Sequence, residues 1–353
     1  MTAEPLPSAA SAEHLTEALR RAGALGEGRV CSVTVESSRA TILSRIIRLR
    51  LTFEDTVEAP SSLILKTGLP ERVGAVWNGG SQEVAFYRQI AAATSARIVP
   101  RCFEAAWDED TKAWHLLLED LTDSHVIATT WPLPPTEQQC ARILDAWARF
   151  HAQWWDDPRF GISIGTWPEA GAMEGYLKPF AKQFEIFRDR VGSRLPRERC
   201  ELYVRFIDAA PRLLARHGSH RNLTIVHGDA HVWNCFLPRD STRDDVRIFD
   251  WDGWHIDTAS DDLAYMMAMH WYPDYRRQME RRFLDHYHRA LVEHGVRGYE
   301  RSALDEDYRL SALWQIRIPV WQEANGIPPL IWWNNLERCL MAVDDLGCRD
   351  LLD

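Results

Sequence analysis

The chain has 353 residues, 46% hydrophobic and 26% charged, the make-up of a folded globular protein long enough for two lobes, not of a disordered chain. Its formal net charge is −10 and no basic run is long enough to follow a phosphate backbone, so no nucleic-acid partner is expected. Seven cysteines form no CxxC pair and read as free thiols, no stretch of about 18 apolar residues occurs, and the opening MTAEPLPSAASAEHL has neither a basic head nor an apolar core; we expect a cytoplasmic protein without signal peptide or membrane partner.

Residues 1–10 read as a loose tail. Ser11 caps a helix to about Arg21, and Gly23 sits where that helix would end. The pattern then turns to β over Val30–Val35, Ile42–Phe53 and Ser62–Thr67, with Leu43, Ile47, Leu49, Leu51 and Phe53 on one face of the second run and Arg48 and Arg50 on the other. An antiparallel meander is the plain reading. Glu36 to Thr41 reads as the turn between the first two strands and contains no glycine. The third strand carries Lys66 among apolar residues; alone it would pass for a surface lysine. After Gly79 and Gly80, Ser81 caps a helix with Glu83 in its first turn, where a carboxylate also suits the helix dipole. Cys102–Trp107 and Trp114–Leu118 form a hairpin around the polar turn 108–112, and LLLEDL follows over 116–121.

WPLPP at 131–135 is a linker. Thr136 with Gln139 makes a capping box for a helix to about Asp156, striped by Ile143, Leu144, Trp147 and Phe150 and ending near His151, a packed or solvated histidine. Helices follow at about 174–190 and 197–217, and everything from 261 onward reads helical. Large rings crowd the last 90 residues (Trp271, Tyr272, Tyr275, Trp314, Trp321, Trp332 and Trp333), serving as core or as lining for a ring-shaped or partly apolar acceptor.

One polar hairpin interrupts that helical stretch. In TIVHGDAHVWNCFLPRDSTRDDVRIFDWD, residues 224–252, Asp229 precedes Asn234 by five residues, and two short apolar runs around a polar turn lead to Asp250. Such a hairpin can bring Asp229, Asn234 and Asp250 to one spot. One carboxylate can then face a substrate hydroxyl while an amide oxygen and a second carboxylate offer hard ligands to Mg²⁺, the equipment of phosphoryl transfer from ATP. Asp262 opens a helix only 12 residues after Asp250, too soon for the activation segment of a protein kinase.

HGD-x4-N followed by a strand ending in Asp resembles the catalytic and metal loops of the aminoglycoside phosphotransferase, choline kinase and ecdysteroid-kinase-like superfamily; "ILK" followed by "E-x-x-FYR" is similar to its ecdysteroid-kinase-like branch. The resemblance implies an α+β, protein-kinase-like two-lobed fold: an antiparallel β-sheet N-lobe with one main helix over 1–120, and a mainly helical C-lobe over 121–353 holding the hairpin and the acceptor pocket. It implies Asp229 as the catalytic carboxylate, Asn234 and Asp250 as Mg²⁺ ligands, Lys66 on the ATP phosphates with Glu83 holding it, and Glu119 and Leu121 in a hinge whose backbone meets the adenine. His227 would orient the loop and Asp262 would brace it; Asp252 reads equally as an additional acid or a solvated one. Many relatives have glycine in the loop 36–41; here Ser37, Ser38 and Arg39 could substitute on the phosphates by hydroxyl and guanidinium contacts. The partner implied is a small-molecule hydroxyl acceptor: an aminoglycoside or other antibiotic, a sugar, an amino alcohol or a sterol-like compound. Two other readings stay open: a catalytically silent nucleotide-binding protein, and a metallohydrolase built on His227-Gly-Asp-Ala-His231.

Overall fold

A computed structural model describes residues 7–41, 43–69, 79–95, 97–167, 170–242 and 244–353. The chain divides into two compact units, Met1–Ile127 with Cys235–Trp254, and Ala128–Asn234 with His255–Asp353. The division differs from a single cut near residue 120 because the segment after Asn234 packs with the first unit.

The first unit is built on a five-stranded antiparallel sheet, β1 (Val30–Ala40), β2 (Ser44–Phe53), β3 (Ser62–Gly68), β4 (Cys102–Trp107) and β5 (Trp114–Glu119), in the order β1-β2-β3-β5-β4. Ile47, Leu49 and Leu51 of β2 and Leu63 and Leu65 of β3 alternate onto one face, as a period of two requires. They are buried there with Leu15 and Leu19 of α1 (Ala12–Arg21), whose cap is the Ser11 hydroxyl accepting from the His14 N–H. Residues 8–10 are not a loose tail: they form a 3₁₀ turn with Ala9 and Ala10 buried in this core.

Of the expected turn at 36–41, residues 36–40 are strand. Pairing with β2 continues through Ser37↔Arg48, Arg39↔Ile46 and Ala40↔Arg45, past a bulge after Val35. These residues showed no apolar alternation because both their faces are exposed, and Glu36 is held by Arg48 and Arg50. The reversal falls instead after Ala40, where Thr41 bonds Ser44; Ile42, the expected start of the second strand, lies outside the described residues.

On the other face of the sheet, α2 (Gly79–Ala85) begins two residues before the expected Ser81 cap and passes into a π-turn, Phe86–Ile90, and a 3₁₀ turn, Ala91–Ala93. Gly80 is what lets it approach: a Cβ there would fall 2.2 Å from Nε1 of Trp114. A second small sheet joins β6 (His125–Ile127), β8 (Cys235–Pro238) and β9 (Arg247–Ile248), in the order β6-β8-β9.

The second unit is helical: α3 (Glu137–Gln153), α4 (Ala170–Val191), α5 (Arg197–Leu213), α6 (Ser260–Ala264), α7 (Pro273–Glu293), α8 (Arg301–Trp314), α9 (Arg317–Ala324) and α10 (Pro329–Asp345). The Thr136–Gln139 box caps α3, with both reciprocal bonds formed. Two short strands, β7 (Thr224–Val226) and β10 (His255–Asp257), pair antiparallel and bracket the excursion into the first unit. Trp271 and Trp314 are core; Trp332 is half-buried and packs edge-on against Phe187 and Trp333. Among the described residues no helix is long and apolar enough to cross a membrane.

Candidate functional site

Alternation along β3 places Leu63 and Leu65 in the core, so Lys66 points to the opposite face, toward α2. It is 7% exposed, which removes the surface-lysine reading. Its Nζ lies 2.8 and 2.7 Å from the two carboxylate oxygens of buried Glu83 and also contacts Oδ1 of Asp250. Burial alone would lower the Lys66 ammonium, but the carboxylates of Asp250 and Glu83, then Asp252, outweigh it and hold the group above its ordinary value. Burial pushes Glu83 up to about 7, with Lys66 opposing and Asp250 reinforcing the rise. One buried ammonium therefore answers the buried Glu83 carboxylate and the partly exposed Asp250 carboxylate, and the acids of the cluster outnumber its cations.

Asp250 reaches this cluster through its neighbours. Its backbone is left-handed, φ +70°, a conformation an L-residue adopts when its surroundings impose it. The next residue, Trp251, is fully buried, stacked on Phe86 at 4.0 Å with the rings 8° from parallel, and donates from Nε1 to the carbonyl of Ile248. Three residues on, Trp254 and Gln82 exchange side-chain-to-backbone bonds of 2.7 and 2.8 Å. The DWDGW segment is thus stapled to the helix that carries Glu83.

The other sequence-derived candidates of this unit are on β1 and at or just past the end of β5. Ser37 and Arg39 are exposed on β1. Glu119 ends β5; its N–H donates to the Arg101 carbonyl at 2.8 Å and its carboxylate accepts from the Arg101 N–H at 3.1 Å. Leu121 is buried, and its carbonyl accepts from the N–H groups of Ser124 and His125.

In the second unit the loop after β7 is held from two sides. Gly228 has φ +78°, and its own N–H and that of His227 turn toward Asp262 at the start of α6. That carboxylate accepts from the His227 N–H at 2.8 Å and from the Gly228 N–H at 3.1 Å. It also faces Nε2 of His151 at 3.2 Å; a carboxylate only accepts, so that nitrogen carries the proton, and the Tyr287 hydroxyl serves Nδ1 at 2.7 Å. Trp147 packs on both His151 and His227. Nδ1 of His227 accepts from the Asp229 N–H at 3.1 Å, closing the loop on itself.

The Asp229 carboxylate is one-third exposed and fixed at both oxygens. Oδ1 accepts from the Tyr265 hydroxyl at 2.5 Å and Oδ2 from the Asn234 amide at 3.1 Å, with Nε2 of His231 3.5 Å from Oδ2. The same Asn234 amide donates to the Asp229 carbonyl at 3.0 Å, so its nitrogen faces Asp229 and its oxygen turns away. Asp262 and Tyr265 stand three residues apart, on one face of the same helical turn, and hold the loop backbone and the Asp229 side chain respectively.

Sequence reasoning passed over Tyr265, Tyr287, Trp251 and Trp254, and read His151 as a packed or solvated histidine. The one available signal was the Asp262–Tyr265 spacing. Nothing in the sequence marks Trp251 off from the 15 other tryptophans.

Residues 169–297 match the ecdysteroid kinase-like family. No curated protein matches the sequence. Solved structures similar over nearly the whole chain include a protein of Ralstonia eutropha JMP134 assigned to the aminoglycoside phosphotransferases (TM-score 0.59, 16% identity, 96% of this chain and 98% of that one). A choline/ethanolamine kinase family protein from Mesorhizobium loti is another (TM-score 0.56, 16% identity, 90% and 91%). A third is the choline kinase LicA of Streptococcus pneumoniae (TM-score 0.50, 13% identity, 95% and 98%), which has also been solved in complex with AMP. At these identities the likeness is one of fold. The chain has the α+β, protein-kinase-like fold of the aminoglycoside phosphotransferases and choline kinases, and over residues 169–297 it carries the pattern of the ecdysteroid kinase-like family.

Proposed function

We propose that the protein is an ATP-dependent O-phosphotransferase that moves the γ-phosphate to a hydroxyl of a small molecule. The observation that carries this reading is buried Lys66 between Glu83 and Asp250: a desolvated ammonium with its partner in place and a second acid beside it. Structural likeness to LicA, a choline kinase seen with AMP, supports a nucleotide as donor. In this reading Lys66 steadies the α/β-phosphates, and the hinge 119–121 takes the adenine. Asp229 orients the acceptor hydroxyl, whose oxygen bonds to the γ-phosphorus as the bond to the β–γ bridging oxygen breaks; the proton passes to Asp229, and ADP leaves.

The donor set suits a hard divalent cation. The excess negative charge around Asp250 calls for one, and the oxygen of Asn234 is turned away from Asp229. Asp250 and Asn234 would hold Mg²⁺, which when bound neutralises charge on the phosphate oxygens. Positioning can supply roughly 7–11 kcal/mol of barrier reduction and the accepting carboxylate about 10²–10⁴-fold in rate. Asp229→Asn is therefore expected to cut kcat by at least about 10²-fold with ATP affinity within about twofold, measured by ADP release over a panel of hydroxylated compounds and by product mass. Near-wild-type turnover in that variant defeats the assignment.

A second reading has one observation on its side: β1 runs as strand to Ala40, with no glycine at 36–41 to bring backbone N–H groups onto phosphates. A thermal shift with Mg-ATP and no transfer to any acceptor would favour a silent nucleotide-binding protein. The metallohydrolase reading is not favoured: His227 spends Nδ1 on the Asp229 N–H, and no metal-spaced group of three among the described residues includes His227 or His231.

A further inference from the structure

One cluster of side chains lies outside everything used above. His14 stands on α1, Glu104 on β4 and His115 on β5. Register pairs Ala106 with His115, so Glu104, two residues back on the same face, lies diagonally across from His115; α1 then lowers His14 onto the pair. Both imidazoles aim Nε2 at one atom, Oε2 of Glu104, at 2.5 and 2.8 Å, and the rings meet edge-on with centroids 5.5 Å apart. Arg21 engages the other oxygen, Oε1, and so orients the carboxylate without covering Oε2. One ligand atom from each residue lies within 4.8 Å of the others, and side-chain exposures of 31%, 15% and 18% leave the cluster open to water on one side.

We propose that His14, Glu104 and His115 form a transition-metal site of the zinc class, with water completing the coordination. Two imidazole nitrogens and one carboxylate oxygen from three different elements are the donor set of a three-residue zinc site. Each Nε2 hydrogen-bonds Oε2 of Glu104 here, and a cation would take the place of the shared protons, with the three donors opening to ligand spacing. A cation there would tie α1 to β4 and β5, so metal binding would be read out as stability of the first unit's core. Hard Mg²⁺ prefers oxygen donors, so the site selects against the metal of the proposed phosphotransfer.

The full chain, stripped by chelator and dialysed, is titrated with zinc chloride by calorimetry, and retained metal is counted after gel filtration. One zinc per chain is expected, with an affinity that falls at least about 100-fold in His14→Ala and His115→Ala and survives in His294→Ala, a histidine outside the cluster. Zinc is also expected to raise the melting temperature of the wild-type chain but not of those two variants. Circular dichroism without metal establishes that each variant folds. Absence of stoichiometric zinc in the wild type, or equal binding in all three variants, overturns the site. No ATP turnover enters this test, so its outcome is separate from that of the phosphotransferase reading.

Discussion

Asp229 offers two oxygens, and both are occupied by donors from its own unit, Tyr265 on one and Asn234 on the other. In the proposed phosphotransfer, an acceptor hydroxyl approaching that carboxylate would meet a group already fixed in one rotamer, which is where positioning would do its part. A hydrogen bond to a charged group is worth about 1.5–3 kcal/mol, or roughly 10–100-fold in rate if it is realised at the transition state. Tyr265→Phe keeps the ring and removes only the donor. Its kcat is expected to fall about 10–100-fold with KM for ATP within about twofold. A fall confined to stability, with kcat intact, would reduce Tyr265 to packing. The acids and amide of the hairpin were legible because few residue types carry that chemistry and their order along the chain is distinctive. Tyr265 and His151 were not: tyrosine and histidine on an apolar helix face are ordinary core until folding sets them beside a loop.

A short helix carries two adjacent carboxylates at its first turn, and α6 uses them differently. Asp262 spends its oxygens on the amides of residues 227 and 228. Asp261, also buried, accepts from Gln315 at 2.8 Å, and burial pushes its carboxyl up to about 7, with the nearby charge of Asp257 adding to the rise; Asp257 itself is held by His217 at 2.8 Å. In the unfolded chain Asp261 titrates near 3.8. Its folded-state value is the higher one, so the native state is favoured at low pH and loses stability as pH rises from about 4 through about 7. Asp261→Asn removes that cost. The variant should melt several degrees above wild type at pH 8 and close to it at pH 4, and a pH-independent difference would refute the assignment. Elements of this length also mark the limit of pattern reading. The capping box of α3 and the face of β2 were legible from spacing, whereas β6, β10 and the π-turn after α2 are too short or irregular to leave a period.

At the scale of the whole chain, the first unit is discontinuous, and that is what sequence order concealed. Residues 235–254 supply β8, the strand that pairs with β6, and Trp251, the ring that covers Phe86. They also supply Asp250 beside Lys66 and the Trp254 bonds to Gln82. A cut after residue 127 therefore removes more than a loop. It uncovers the wholly buried Phe86 and takes away one of the two acids facing a desolvated ammonium. Losing a buried tryptophan alone costs about 3–5 kcal/mol, a large share of the 5–15 kcal/mol a domain has to spare. Residues 1–127 expressed alone are expected to lack a cooperative thermal transition by circular dichroism. The same fragment joined through a flexible linker to residues 235–254 should regain one, with Trp251→Ala in the joined chain losing most of that gain. A sharp melt from residues 1–127 by themselves would show that the five-stranded sheet and α1 core are self-sufficient and that the segment is only laid upon them.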